Sequence, residues 1–304
     1  MRRGKRTGKK LALVAMTVVF VLFAGRIGEW SSGFDSEFLV YGQTGGTGTG
    51  GTGGSTTTLT KVVPHIAFGN FGSLYTTVIQ IINTKSTAVT VTGNFYTQSG
   101  TPSTATYTTN LTSTPTFTGT LNNVTLAANS VLVISASGAN SPTTFDGAVN
   151  WGKFTTSSNV TITSFFEIRE FSSRLLGRVG LPSSAADLSN FAIPRFRNPL
   201  TGSDTGFAIA NTGAAAANIT VTLKDSNGAT LAARTVSLAA NAQTAQFLAI
   251  FLNGTGCSPC LAPETGATTR YHYITFTSTS AQFGAIGLGI EGDISASFPV
   301  EPIS

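Results

Sequence analysis

The chain has 304 residues, of which only 10 % are charged, with 34 glycines, 21 phenylalanines and a formal net charge of +5. That length accommodates one large domain or two ordinary ones, and so little charge excludes a highly charged disordered chain. Six basic residues sit at Arg2, Arg3, Lys5, Arg6, Lys9 and Lys10; removing them from the eighteen leaves twelve against thirteen acidic ones, a net of −1, so the body has no basic excess for nucleic acid.

Behind that basic run, residues 11–25 read LALVAMTVVFVLFAG without a charge. A charged start followed by an apolar stretch of this length is the pattern of a secretory signal. As a helix it would span about 22 Å at ~1.5 Å per residue, short of the roughly 30 Å of a bilayer core. Cleavage after Ala24 or Gly25 places bulky Leu22 or Phe23 at the −3 position. Residues 1–25 are therefore read as a signal peptide or a signal-anchor, with the body secreted or associated with the cell envelope. In the anchor case, this uncleaved helix is the body's sole attachment to the membrane. No cysteine follows for a lipid anchor, and Gly4 and Lys5 do not extend Arg2-Arg3 into a twin-arginine signal.

Residues 26–60 form a low-complexity region. Its first part carries Trp30, Phe34, Phe38 and Tyr41; its second, GQTGGTGTGGTGGSTTTLT, is a Gly–Thr tether with a reach on the order of 25 Å.

Two stretches of the body resemble each other. TVIQIINTKSTAVTVTGNFYTQSG at 77–100 aligns without a gap on TGFAIANTGAAAANITVTLKDSNG at 205–228. Val63-Pro64 then matches Ile193-Pro194, VTLAAN at 124–129 matches VSLAAN at 236–241, and FTTSS at 154–158 matches FTSTS at 276–280. The order is kept, while the first copy holds extra Thr-rich residues around 101–120. Alternation such as Ile219, Val221 and Leu223 against Thr220 and Thr222 predicts strands, and NTK, NTG, SNG and QSG predict the turns between them. One helix is expected around Ala245–Leu252. The predicted fold is all-β: two tandem antiparallel β-sandwich domains of the immunoglobulin-like type, at 61–184 and 185–304, with the boundary near Ala185–Asn190.

Candidate chemistry is sparse. Cys257 and Cys260 form C-S-P-C, which in an exported chain reads as a small structural disulfide; a thioredoxin-like pair would need a βαβ setting, and zinc would need further ligands. His65 and His272 are the only histidines, and no carboxylate neighbours either one. G-x-G-x-x-G occurs at Gly46–Gly51 and Gly287–Gly292 without the strand-then-helix context of a phosphate cradle. Glu167, Arg169, Glu170, Arg174 and Arg178 read as a solvated strand edge. Trp151 and Tyr271 are the candidate ligand contacts, since a flat ring on a sheet face can stack on a sugar; a core position is the competing reading for Trp151. N-x-T sequons lie at Asn110, Asn123, Asn159, Asn218 and Asn253. No catalytic, cofactor or metal residue is assigned.

A strand leading into Asn211–Gly213, a run ending Asp225–Gly228, and Leu238–Asn241 before a short helix resemble exported bacterial proteins with tandem immunoglobulin-like β-sandwich repeats, largely of unknown function. Asn83–Lys85, Gln98–Gly100 and Leu126–Asn129 are the first copy's versions, and the resemblance covers about residues 61–304. It implies an extracellular structural or adhesive role. The expected function is non-enzymatic surface interaction, with a surface protein or glycan as partner and self-association through strand edges; a carbohydrate-binding module is the alternative, and an uncharacterised hydrolase a third reading.

Overall fold

In the computed structural model, the residues described are 59–139, 141–198, 203–264, 270–291, 294–298 and 300–303. The expected leader at 1–25, most of the 26–60 region and the Gly46–Gly51 motif lie outside them. Among the described residues no helix is long and apolar enough to cross a membrane.

The expected all-β class holds. Eleven strands come first: β1 (Leu59–Asn70), β2 (Leu74–Asn83), β3 (Val89–Thr97), β4 (Thr106–Thr109), β5 (Thr116–Thr118), β6 (Thr120–Leu126), β7 (Ser130–Ser137), β8 (Ala148–Thr156), β9 (Thr161–Arg169), β10 (Leu175–Pro182) and β11 (Ser184–Ala185). The second half adds β12 (Asn190–Arg197), β13 (Asp204–Asn211), β14 (Ala217–Lys224), β15 (Thr230–Leu238), β16 (Gln243–Phe247), the helix α1 (Leu248–Leu252), β17 (Arg270–Thr277), β18 (Phe283–Glu291), β19 (Ile294–Phe298) and β20 (Glu301–Pro302). The helix is shorter than expected. Residues 245–247 continue β16, because they pair with β13 from Ala208 back to Gly206. A ladder that satisfies the backbone overrides helix propensity here.

All the strand pairs are antiparallel, and one order recurs. In the first half β1 pairs β8, β8 pairs β3 and β3 pairs β6, with β11 beside β1. In the second half β12 pairs β17, β17 pairs β14 and β14 pairs β15, with β20 beside β12. The remaining strands run β7-β2-β9-β10 and β16-β13-β18-β19. The hairpin β4–β5, added beside β7, exists only in the first half. It is built by the Thr-rich insertion.

Each half has a core between two groups of strands, which in the first half join through the β1–β2 pair into one eleven-stranded sheet. Val63, Val91, Phe95 and Phe154 meet Ile79, Ile81 and Ile134 in the first, and Phe191, Ile219, Leu223 and Phe276 meet Phe207 and Ile209 in the second. The second core also takes Leu248, Phe251 and Leu252 of α1. Alternation is clean where one strand face is outside: in β14, Ile219, Val221 and Leu223 are buried in turn. It vanishes in β13, whose eight residues are all buried. A strand covered on both faces has no polar side to show, and the second cover is the other half of the molecule. Residues Thr58–Ser304 accordingly form one compact unit.

Candidate functional site

The turn motifs of the sequence become fasteners. Asn83 and Asn211 are fully buried. The Asn83 amide donates to the carbonyls of Thr87, Leu126 and Ala127; that of Asn211 donates to Ala215, Leu238 and Ala239. Each ties its own turn to the L-A-A-N segment that passes beneath. Asn129 and Asn241, the last residues of those segments, both take left-handed backbone, φ 51° and 56°, a conformation asparagine tolerates better than most residues.

The two halves meet across a buried junction. Val62 and Trp151 of the first pack on Ala210 of the second, and Phe166, Val179 and Leu181 pack on Ala208, Ala245, Ile286 and Leu288. Trp151 stacks on Tyr96 at 4.9 Å between ring centres, and its Nε1 donates to the Asn241 carbonyl at 2.8 Å. The ring is completely buried, which corrects the expectation of a ligand contact: the outer face that carries Trp151 is the face that the second half covers. Polar bonds complete the seam. Gln243 Nε2 donates to the Pro64 carbonyl, Lys153 Nζ to the Thr212 carbonyl, and the Gln243 backbone N–H to the Gln98 carbonyl. Pro64 sits in a register shift of β1 between Val63 and Ile66. Such an irregularity frees a carbonyl from the ladder, and Gln243 takes it.

Tyr271 lies in β17, where its backbone pairs with Phe196; its side chain is outside what is described. His65 is buried beside Phe166, and desolvation lowers its pKa to about 4. His272 is half-buried and stands opposite Arg195 in the β12–β17 pair. The two histidines therefore belong to different halves and different sheets. Gly287 and Gly289 fall inside β18 rather than in a loop, and Gly292 is outside the described residues. At the β9–β10 hairpin Glu167 is bracketed by Arg169 and Arg178, and Glu170 pairs with Arg174. The Arg178 guanidinium also lies 5.0 Å over the Phe165 ring. All five sequon asparagines are exposed.

What differs between the halves is two loops, each pinned by a buried polar cluster that pattern reading does not reveal. The Thr-rich insertion is held by Ser103, Tyr107 and Asn150: the Asn150 amide donates to Ser103 Oγ at 2.7 Å and to the Tyr107 hydroxyl at 2.8 Å. Burial pushes the Tyr107 hydroxyl up in pKa against those bonds, so it stays a neutral phenol. The second loop runs from Asn253 to Glu264. Arg195, fully buried, donates to both Glu264 carboxylate oxygens at 2.7 and 2.8 Å and to Asp204 at 3.2 Å. Burial opposes the charge on Arg195, but the bidentate bond to Glu264 and the field of Asp204 hold its pKa above the ordinary value. A buried guanidinium persists only when paired in this way. Asp204 in turn accepts from the Ala249 N–H in the first turn of α1.

Within this loop Cys257 and Cys260 are disulfide-bonded. The loop lies along β15, the outermost strand of its sheet. Ser258 N–H donates to the Ala233 carbonyl at 2.8 Å, and Ala233 N–H donates to the Pro259 carbonyl at 2.9 Å. Arg234 reaches over the Phe251 ring at 4.6 Å and donates to the Phe251 carbonyl. The C-S-P-C segment thus covers part of an edge that would otherwise offer open backbone groups. Among the described residues no group of three or more His, Cys, Asp or Glu side chains could hold a metal ion. No protein-family model matches the chain, and no curated protein and no solved structure matches it.

Proposed function

We propose that the chain is an exported, non-enzymatic structural or surface-interaction protein of the adhesion type, made of two diverged immunoglobulin-like β-sandwich repeats behind a leader and a Gly–Thr tether. The recurring strand order and the matched bonds of Asn83 and Asn211 support the repeat. The sandwich reading is supported by two cores, each packed between two groups of strands. The resemblance of the turn motifs to exported bacterial repeat proteins points the same way.

The observation that carries the proposal is the junction. Trp151, Gln243 and Lys153, side chains of the kind that form binding sites, are engaged in joining one half to the other. Outward lie threonine-bearing strand faces and the two anchored loops, 101–120 and 253–264. Those loops are the proposed contact points for a surface protein or a glycan. Fractionation of the producing cells with N-terminal sequencing tests the reading. The expected result is protein in the envelope or medium, either starting beyond residue 25 or still carrying its leader in the membrane. Recovery in the cytosol, or a hydrolytic activity lost on His272→Ala, would overturn it.

A further inference from the structure

The junction between the halves is heterologous: two different surfaces meet. The first half contributes the outer side of β1 and β8, with Val62 and Trp151, the residues Phe166, Val179 and Leu181 of β9 and β10, and the turn Gln98–Gly100. The second contributes the outer side of β13, β16 and β18, with Ala208, Ala210 and Gly284, and the turn Ala239–Asn241. The contact between turns is close. A Cβ on Gly100 would stand 2.3 Å from the Ala240 carbonyl oxygen, and Gly100 has φ +88°. A heterologous contact built from two related halves leaves one unused counterpart of each surface, and contacts of this kind propagate when they do not close.

Among the described residues, the counterparts of the Val62–Trp151 contact are partly exposed. In the first half the positions of Ala210, Gln243 and Gly284 are held by Ile82, Val131 and Thr161, which pair across β2, β7 and β9 in the same register. Val131 is 39 % exposed, and Ile82 and Val133 are only half-buried, an apolar stripe on the outside of a sheet. The turn Ala127–Asn129, equivalent to Ala239–Asn241, is turned to solvent at Asn129. In the second half the positions of Val62 and Trp151 are held by Ala192 and Tyr273, both half-buried. Its turn Asp225–Gly228 keeps the left-handed glycine, φ +84°, and no backbone atom stands within 4 Å of a Cβ placed there.

At one of the two central contacts the free surfaces also match the junction in size. At the junction Val62 packs on Gly284, where a Cβ would stand 2.8 Å from the Val62 Cβ, and Trp151 packs beside Ala210. The counterparts would bring Ala192 onto Thr161 and Tyr273 onto Ile82. Ala192 with Thr161 fills about the volume of Val62 with Gly284, while Tyr273 with Ile82 is bulkier than Trp151 with Ala210 and would set the sheets slightly wider there.

We propose that a second copy of this chain docks on the Ile82–Val131 face through its Ala192–Tyr273 face, so that molecules stack head to tail in repetition of the internal junction. The proposal rests on the two-repeat reading above. Sedimentation velocity on the purified native protein tests it. The expected sedimentation coefficient climbs with concentration without levelling at a dimer. Ile82→Asp and Tyr273→Asp, each folded by circular dichroism, should each weaken self-association by about tenfold or more, because a carboxylate would be buried in an apolar contact. Mixed together, the two variants should form a one-to-one complex and stop there, since each retains the surface that the other has lost. A native protein that stays monomeric at high concentration overturns the stacking, as does a mixture of variants that fails to pair. Neither result touches the repeat or the exported location, which fractionation decides separately.

Discussion

His65 shows how far a residue's role is set by its place. It follows Val63-Pro64, as Arg195 follows Ile193-Pro194. Arg195 is provided with two carboxylates and keeps its charge; His65 is desolvated beside Phe166 and is neutral at pH 7. Its folded pKa of about 4 lies below the 6.5 of an unfolded histidine. Above pH 6.5 both states are neutral and the group has no effect on stability. As pH falls from 6.5 toward 4, the unfolded chain takes up a proton that the folded chain refuses. Stability should drop across that window by about 2 to 3 kcal/mol, from ~1.4 kcal/mol for each pH step between the two values. Urea unfolding of the native protein and of His65→Gln at pH 7.5 and pH 4.5 measures the effect. The variant should lose less stability than the native protein over the same interval, and equal losses would remove His65 as the cause. Sequence pairing of His65 with Arg195 already argues against a catalytic histidine. It does not show that the two positions meet opposite electrostatic demands, because Glu264 comes from a loop 69 residues downstream of Arg195.

At the scale of elements, the strands of the two matching stretches and the turns between them are legible because their signals are local: alternation for β14, asparagine and glycine for the turns. The Ala245–Leu252 helix is misjudged by three residues because pairing with β13, a long-range event, holds residues 245–247 in a strand. The C-S-P-C segment is partly legible. Its disulfide is the expectation for a chain read as exported, but its place along β15 depends on Arg195 and Glu264 holding the far end of the loop. Replacing both cysteines, Cys257→Ser with Cys260→Ser, should lower stability by only about 1 to 2 kcal/mol, as the closed loop is short. The local effect should be larger. Amide exchange at Ala233 and Ser258, the two donors of the edge contact, should quicken, while exchange at Ile219 and Val221 inside the sheet stays unchanged. Uniform quickening over the second half would mean that the disulfide supports the core rather than the edge.

For the whole molecule, the decisive feature is the one least visible in a linear reading. Trp151 looks the same in sequence whether its outer face meets solvent, a ligand or the rest of the chain. The signal that settles it lies elsewhere: Ala208 and Ala210 in β13 and Gly284 in β18 are small residues on a strand face, where a solvated sheet would carry threonine or charge. They let two sheets approach closely, and they bury Trp151. The two halves should therefore unfold together, since neither can expose this seam without leaving Trp151, Phe166, Ile286 and Leu288 in water. Gly284→Val isolates the effect. Its side chain points away from the core of the second half and into Val62, 2.8 Å from where the new Cβ would stand. Native protein should give a single calorimetric transition. The variant should keep its strand content yet lose cooperativity, with the halves separating into two transitions and Trp151 fluorescence shifting to the red before the first of them. A variant that still melts in one step with unshifted fluorescence would mean that the hydrogen bonds of Gln243 to Pro64, Lys153 to Thr212 and Trp151 to Asn241, not the packing at Gly284, hold the halves together. Those bonds lie along the seam that Val62 occupies, so pushing the sheets apart at Gly284 should lengthen them as well; packing and hydrogen bonding are expected to fail together.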